Sequence, residues 1–266
     1  MNIRKWHKDF SRDMELDSNS FNTRKTYTSL VWKFLLYFQN EVEPKAISNE
    51  VIKDYLLSFQ TLNTRKQNLC AIRAFYRLTV KMPQKITSIP YPKKERKLPR
   101  VIDKLELLQK IDQIQNLKHK AIISVGFSVG LRVSELTNLK VSDIDSKRML
   151  ILIRNGKGRK DRYVPLSEKI LHLLRAYFKA YRPVEYLFNG QNKPKYSNTS
   201  CNAIVKKYLG QTYHYHLLRH SCFTTMLETG TDLRVIQKIA GHNSSKTTEI
   251  YTHVSNSFLS AVQTPI

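Results

Sequence analysis

His214 to His253 read HYHLLRHSCFTTMLETGTDLRVIQKIAGHNSSKTTEIYTH, and the rest of the chain is organised around this stretch. Its pattern predicts helices throughout, with breaks at Gly230, at residues 241–243 and beyond His253. The stretch carries four side chains whose types and spacing fit one chemistry: His216, Arg219, His242 and Tyr251. Arg132 in GLRVSEL and Lys157 in NGKGRK, far upstream, complete the set.

Two arginines from separate segments, Arg132 and Arg219, suit the binding of one phosphate. A guanidinium group donates two parallel hydrogen bonds and does not lose its charge at physiological pH. It can therefore stabilise the negative charge that develops on the non-bridging oxygens when a DNA phosphodiester is broken. The pair predicts a phosphoryl-transfer site.

Tyr251 is the candidate nucleophile for that reaction. A phenol with a pKa of about 10 is mostly neutral at pH 7, so it needs a base or a cationic setting. His216 and His242 are the available acid–base groups, and Lys157 on a turn could protonate the leaving oxygen. Because a phosphotyrosine would conserve the bond energy, no ATP, metal or other cofactor is expected.

Each of these residues also has an ordinary structural interpretation. Tyr251 could be amphipathic core, since the chain has 14 tyrosines. Arg132 and Glu135, three residues apart on a short helix, could form only a helix ion pair. Lys157 could be one more exposed loop cation, because its Gly-Lys-Gly setting lacks the GxxxxGK(S/T) pattern of a nucleotide-binding loop.

The chain predicts neither a metal site nor a disulfide framework. His216 and His220 have a helical ligand spacing, but the LLR between them supplies no carboxylate, and Arg219 would repel a cation. Three cysteines lie far apart without CxxC spacing, which favours a reduced intracellular compartment. They are Cys70, Cys201 and Cys222.

The composition indicates a polyanionic partner. The chain has 266 residues with 45 Lys+Arg against 21 Asp+Glu, and its formal net charge is +24. Nucleic acid is the expected partner, and a ribosomal or chromatin-like protein that only coats it is the alternative. The length predicts about two domains. The sequence shows no membrane span and no secretory signal, so a cytoplasmic, nucleoid-associated location without membrane contact is expected.

Residues 1–87 are predicted to form a helical DNA-binding domain. Helices are expected over residues 23–42, from residue 48, and from residue 63 or 64 to about 80. Asn22 or Thr23 is expected to cap the first helix and Pro44 to stop it, and Ser48 is expected to cap the second. Cations between their apolar faces suit phosphate contact, although solvated helix faces are the commoner meaning of such residues. The candidates are Arg24, Lys25, Arg65, Lys66 and Arg73.

A basic linker with three prolines is predicted at residues 88–101. Pro90, Pro92 and Pro99 favour an extended path. Its cations could follow a DNA backbone, or the segment could be a plain domain connection. The candidate DNA contacts in it are Lys93, Lys94, Arg96 and Lys97.

Residues 102–254 are predicted to form the catalytic domain. Asp103 and Ser167 are each expected to cap a helix. The helix after Asp103 has apolar positions at Leu105, Leu108 and Ile111, and the helix after Ser167 has Phe178 facing inward. Further helices are expected over about residues 118–129 and 197–209. Two β-rich runs, 149–153 and 162–166, predict a hairpin with Lys157 at its tip. The same turn holds two further candidate DNA contacts, Arg159 and Lys160. The fold class is therefore mainly α with a small antiparallel β-hairpin.

The motifs together resemble those of the tyrosine recombinase, or phage integrase, family. They are Arg132 in GLRVSEL, Lys157 on a hairpin, HLLRH at 216–220, GH at 241–242 and Tyr251 in IYTH. The resemblance spans the second domain, and the first domain looks like the family's SAM-like core-binding domain. It implies a site of Arg132, Lys157, His216, Arg219 and His242 around the nucleophile Tyr251, with Glu135 in the acidic supporting position.

The resemblance also implies a site-specific recombinase that clamps DNA in a C shape at a short inverted repeat. A 3′-phosphotyrosine intermediate, a homotetramer on two sites and a Holliday junction are its expected features, and accessory proteins are unknown. The chain looks like a minimal Xer-like recombinase or a mobile-element integrase without an arm-binding module, for dimer resolution or for integration and excision. A type IB topoisomerase-like enzyme and a catalytically silent DNA-binding protein are the alternatives. The tail, residues 255–266, is expected to dock on a neighbouring protomer or to be a frayed terminus.

Overall fold

The described part of the chain in the computed structural model comprises residues 1–17, 20–40, 43–93, 99–154, 161–191, 193–242 and 244–252. The chain divides into two units, Met1–Arg96 and Lys97–Ile266. Each has a hydrophobic core of its own. The described residues are mostly helical, with one three-stranded antiparallel sheet, which confirms the predicted fold class. Within these ranges, no helix combines the length and apolar character needed to cross a membrane.

Five helices make up the described part of the first unit. They are α1 (Ile3–Leu16), α2 (Phe21–Tyr37), α3 (Asn49–Leu57), α4 (Leu62–Leu78) and the single turn α5 (Gln84–Thr87). The sequence pattern did not predict α1. Only Phe10 and Met14 are buried along this helix, so its apolar stripe is narrow and its sequence is otherwise polar.

Hydroxyl caps decide where the helices of this unit begin. The Ser48 hydroxyl accepts from the backbone N–H of residue 51 at 3.3 Å, which confirms the predicted cap of α3. The expected starts at residue 23 and at residue 63 or 64 are wrong, because Ser20 and Thr61 supply caps earlier in the chain, each accepting a backbone N–H at 3.2 Å. The α2 helix also ends at Tyr37, well before Pro44.

The first part of the predicted linker packs on the first unit. Ile89 is buried in that unit's core. The Arg73 side chain donates from Nη2 to the Ile89 carbonyl at 2.6 Å, and its guanidinium lies 4.0 Å from the centre of the Tyr91 ring. Residues 89–91 are therefore held by contacts within this unit, while residues 94–98 lie outside the described ranges.

The second unit holds the sheet and the remaining described helices. The helices are α6 (Lys104–Asp112), α7 (Leu117–Val129), α8 (Val133–Asn138), α9 (Glu168–Tyr181), α10 (Asn198–Leu209), α11 (His216–Glu228) and α12 (Leu233–Ala240). The strands are β1 (Ile144–Asp145), β2 (Leu150–Ile153) and β3 (Arg162–Pro165). Short 3-10 turns span Val141–Asp143, Ser245–Thr247 and Glu249–Tyr251.

The sheet has the order β1-β2-β3, and both strand pairs are antiparallel. Ile151 lies opposite Val164, and both side chains are buried. This pairing confirms the predicted hairpin. Its loop, residues 155–160, lies outside the described ranges.

Helix α7 is the buried centre of the second unit, and it packs against α9 and α11. Three apolar positions predicted on neighbouring helices do not face this core. Leu105 and Leu108 are 68% and 40% exposed on α6, where Leu107 is buried instead and Ile111 is buried as predicted, and Phe178 is 44% exposed on α9. Apolar residues cover more than one face of these helices, and the packing of neighbouring elements decides which face is buried.

Candidate active site

Arg132 lies at the start of α8, directly after the turn that ends α7. Gly130 makes this turn possible, because it adopts the left-handed conformation with φ +62°. The backbone N–H of Arg132 donates to Glu135 Oε2 at 2.9 Å, and its Nη1 donates to Glu135 Oε1 at 2.7 Å. The Arg132 guanidinium is thus held at the N-terminus of the helix by the carboxylate one turn later.

A second arginine, Arg162 on β3, holds the same carboxylate. Its Nη1 and Nη2 donate to the two Glu135 oxygens, each at 2.9 Å, and its Nε donates to the Ile239 carbonyl at 2.8 Å. Burial alone would raise the pKa of Glu135, but the hydrogen bonds and charges of Arg162 and Arg132 lower it to about 2. Glu135 is therefore ionised at neutral pH, and it fixes two guanidinium groups at once.

Arg162 was not among the residues predicted from the sequence. It lies 27 positions from Glu135, and the start of a β-rich run gives no hint of an ion pair. The only local signal is a charged side chain at the beginning of a strand whose neighbour Val164 is buried.

Arg219 on α11 is almost completely buried, with 3% of its surface exposed. Its Nη1 donates to the Gly130 carbonyl and its Nη2 to the Ala240 carbonyl, both at 2.6 Å, and Nη2 also lies 3.0 Å from His242 Nε2. Burial, followed by the charge of Arg132, lowers the pKa of Arg219 to about 10. The group stays cationic at pH 7 and links α7, α11 and the end of α12.

His242 follows the left-handed glycine that ends α12. Gly241 has φ +61°, and its carbonyl accepts from Arg132 Nη2 at 3.3 Å. The Nδ1 atom of His242 lies 2.9 Å from the hydroxyl of Thr248, which is fully buried. The imidazole is therefore fixed from both sides, by Arg219 and by Thr248.

Tyr251 lies in the last described 3-10 turn and is 1% exposed. Its ring centre is 5.5 Å from that of Phe223, 5.8 Å from that of His220 and 6.4 Å from that of His242. Burial raises the pKa of Tyr251 to about 12, although the charge of Arg219 and a hydrogen bond from it act in the opposite direction. The phenol is therefore protonated at neutral pH.

His216 begins α11 at the solvent-exposed edge of this cluster. Its ring centre is 6.0 Å from that of His220. Loss of hydration, followed by the charge of Arg219, lowers the pKa of His216. Loss of hydration, followed by the neighbouring His216 and then Arg219, lowers the pKa of His220 to about 4. Both imidazoles are neutral at pH 7. Within the described ranges, no group of three or more His, Cys, Asp or Glu side chains could hold a metal ion.

The structure brings together five of the predicted site residues, with His216 at the edge. The five are Arg132, Glu135, Arg219, His242 and Tyr251. Two cationic groups and an imidazole beside a buried phenol can hold an anion against that phenol. Lys157, with Arg159 and Lys160, lies outside the described residues.

The predicted DNA contacts of the first unit and of the linker fall into three groups. Arg24 pairs with Glu15 at 2.9 Å, Arg65 donates to the Phe59 carbonyl at 2.7 Å, and Arg73 holds residue 89 as described above. These three arginines therefore make contacts within their own unit. The exposed candidates are Lys25, Lys66 and Lys93, whereas Lys94, Arg96 and Lys97 lie outside the described residues.

Comparison with known proteins gives matches over both units. The family model described as the phage integrase family matches residues 100–257, and that of the phage integrase N-terminal SAM-like domain matches residues 6–86. A Sinorhizobium fredii protein named as an integrase/recombinase is 34% identical over 269 residues, which cover 96% of this chain and 86% of the relative. Tyrosine recombinase XerA of Pyrococcus horikoshii is 32% identical over 262 residues, covering 94% and 90%.

A solved structure has the same fold. It is the XerH site-specific recombinase bound to palindromic difH substrate in a post-cleavage complex, with a TM-score of 0.73. The match covers 89% of this chain and 77% of that chain at 24% sequence identity, and it supports the architecture alone.

Proposed function

The chain belongs to the phage integrase family of tyrosine recombinases, and from this premise we propose that it cuts and rejoins DNA at a specific site through Tyr251. One observation carries the proposal. Arg132, Arg219 and His242 reach the surroundings of the Tyr251 phenol from three separate segments, and each is fixed by hydrogen bonds within the protein. Groups that are fixed in this way need little movement to stabilise the charge that develops in the reaction.

The scissile phosphate would bind between the two arginines. In the reaction, the Tyr251 oxygen forms a bond to phosphorus while the bond from phosphorus to the 5′-oxygen breaks, and that oxygen takes up a proton. The product is a 3′-phosphotyrosine and a free 5′-hydroxyl. Attack by the 5′-hydroxyl of the same or another strand reverses these steps, so joining consumes no further energy source.

The two proton transfers require different groups. Because the phenol is protonated at neutral pH, its proton must leave as it attacks, and the neutral imidazole of His216 can accept a proton. Lys157 is our candidate for the donor to the leaving 5′-oxygen, on the strength of its place in the sequence motif.

Double-stranded DNA is the proposed partner. The net charge of +24 suits a polyanion, and the structural relative of the same fold was solved on a palindromic DNA. We place the chain on a short inverted repeat, as a tetramer across two sites that exchanges strands in pairs through a Holliday junction. Its role is Xer-like dimer resolution or the integration and excision of a mobile element, carried out in the cytoplasm.

The test is to trap the covalent intermediate. Cells that express the chain are lysed in denaturant, the protein is recovered, and the attached DNA is sequenced. Wild-type protein should carry DNA that ends at one short inverted repeat. Tyr251→Phe should carry none while still binding the same DNA. Tyr208→Phe is the matched control, because it removes a phenol hydroxyl that bonds only to His119 among the described residues, and it should retain the adducts.

Three other outcomes would contradict parts of the proposal. Adducts that persist in Tyr251→Phe would show that another residue is the nucleophile. No adducts in either protein, with DNA still bound, would favour the catalytically silent DNA-binding protein. Relaxation of supercoiled DNA by a single copy, without exchange between two sites, would favour the topoisomerase-like enzyme.

A further inference from the structure

His242 has a different partner on each ring nitrogen. Nε2 lies 3.0 Å from Arg219 Nη2, and Nδ1 lies 2.9 Å from the Thr248 hydroxyl. A guanidinium nitrogen can only donate a hydrogen bond, so Nε2 must be the acceptor and carries no proton. The ring proton then lies on Nδ1, and the Thr248 oxygen accepts it.

We propose that Thr248 is a positioning residue that accepts the Nδ1 proton of His242, and that this arrangement latches Arg219 to His242. The two distances and the donor-only chemistry of arginine carry this assignment. Its meaning for the reaction rests on the function proposed above.

The latch bears on phosphate binding because a phosphate oxygen accepts hydrogen bonds. In this arrangement, His242 presents a lone pair at Nε2, so it cannot donate to such an oxygen. To become a donor there, the neutral ring must release the Nδ1 proton to water and take up a proton from water on Nε2. The Thr248 hydroxyl can serve both arrangements, since it accepts from Nδ1–H in the first and donates to bare Nδ1 in the second.

The position of Thr248 also ties this exchange to the nucleophile. The Thr248 side chain is fully buried, and its carbonyl accepts the backbone N–H of Tyr251 at 3.0 Å. A shift of Thr248 would therefore move the turn that carries the phenol. A buried hydroxyl at this position links the orientation of His242 to that of Tyr251.

Nitrogen-15 NMR of the ring nitrogens tests the assignment directly in the full chain without DNA. The His242 signals are identified by their loss in His242→Gln. The Nδ1–H tautomer is expected in the wild type and in Thr248→Ser, which keeps the hydroxyl. In Thr248→Val the Nδ1 proton has no acceptor, so the population of that tautomer should fall. Thr247→Val is the matched control, because Thr247 is the exposed neighbour, and it should leave the signals unchanged. An Nε2–H tautomer in the wild type would overturn the proposal even if Thr248→Val fails to fold.

Single-turnover cleavage tests the role in the reaction. On the DNA site found by adduct sequencing, Thr248→Val should slow cleavage by on the order of 10-fold to 100-fold, with DNA affinity within about 2-fold of the wild type. Thr248→Ser should restore most of the rate. Equal cleavage by Thr248→Val and wild type would overturn the role of Thr248. Absence of adducts in the wild type would instead overturn the proposed function, and the tautomer measurement would still decide the assignment.

Discussion

Replacing Glu135 by glutamine should destabilise the second unit by about 3 kcal/mol at pH 7. The Glu135 carboxylate is 5% exposed and lies between Arg132 and Arg162, which donate to it at distances from 2.7 to 2.9 Å. Its pKa is lowered from 4.5 to about 2 in the folded protein. Each pKa unit corresponds to about 1.4 kcal/mol, so a lowering of this size corresponds to about 3 kcal/mol. Removal of one member of a buried ion pair costs a similar amount.

The effect has a defined pH dependence. Because the folded-state pKa is lowered, the carboxylate stabilises the fold above pH 4.5, and this contribution is lost as the pH falls towards about 2. The neutral amide of the variant has no such dependence. The difference in the free energy of unfolding between the two proteins should therefore shrink by about 1 kcal/mol between pH 7 and pH 4.

Urea unfolding followed by two signals isolates the effect. The chain has 2 tryptophans, Trp6 and Trp32, and both lie in the first unit, so fluorescence reports that unit while far-UV circular dichroism reports both. Glu135→Gln should shift the circular dichroism transition and leave the fluorescence transition in place. Glu106→Gln is the control, since Glu106 pairs with Lys110 at an exposed site and should contribute less than about 1 kcal/mol. An equal change in both variants, or a difference independent of pH, would refute the reasoning.

Two further predictions concern substitution and reactivity in the second unit. Gly130→Ala should destabilise the unit more than Gly230→Ala. Both glycines have positive φ, so both substitutions strain the backbone. A Cβ added at Gly130 would also lie 2.5 Å from Phe223 Cζ, whereas a Cβ added at Gly230 would have no atom within 4 Å. In urea unfolding, the free energy of unfolding should fall by about 1 kcal/mol in Gly230→Ala and by roughly a further 1–3 kcal/mol in Gly130→Ala. Equal losses in the two variants would contradict the predicted clash. Burial raises the pKa of the Cys222 thiol to about 12, so this thiol should react slowly with an alkylating reagent. In the native protein the half-buried Cys70 should be alkylated first, as detected by mass spectrometry. Prompt alkylation of Cys222 would contradict its burial.

Short-range signals in the sequence were enough for much of the fold. Asp103 and Ser167 cap α6 and α9 as predicted, because their side chains bond to backbone N–H groups two or three residues later. The hairpin of β2 and β3 followed from the change of apolar period from helix to strand. Helix starts depended on which of several hydroxyls caps first, and that choice put α2 and α4 earlier than predicted. The buried faces of α6 and α9 depended on neighbouring elements, so Leu105 and Phe178 were assigned to the wrong side.

The candidate site likewise has features that the sequence predicts and features that only the tertiary structure decides. The sequence by itself determined which residues are candidates, since a reaction at a DNA phosphate demands particular residue types, and Arg132, Arg219, His242 and Tyr251 could be chosen for that reason. The tertiary structure alone decided how these groups are held. Arg162 meets Glu135 only because the fold brings the start of β3 within hydrogen-bonding reach of α8, and Arg219 reaches the carbonyls of residues 130 and 240 only because α7 and α12 end at the same place. Such contacts join residues far apart in the chain, so no local pattern of spacing records them.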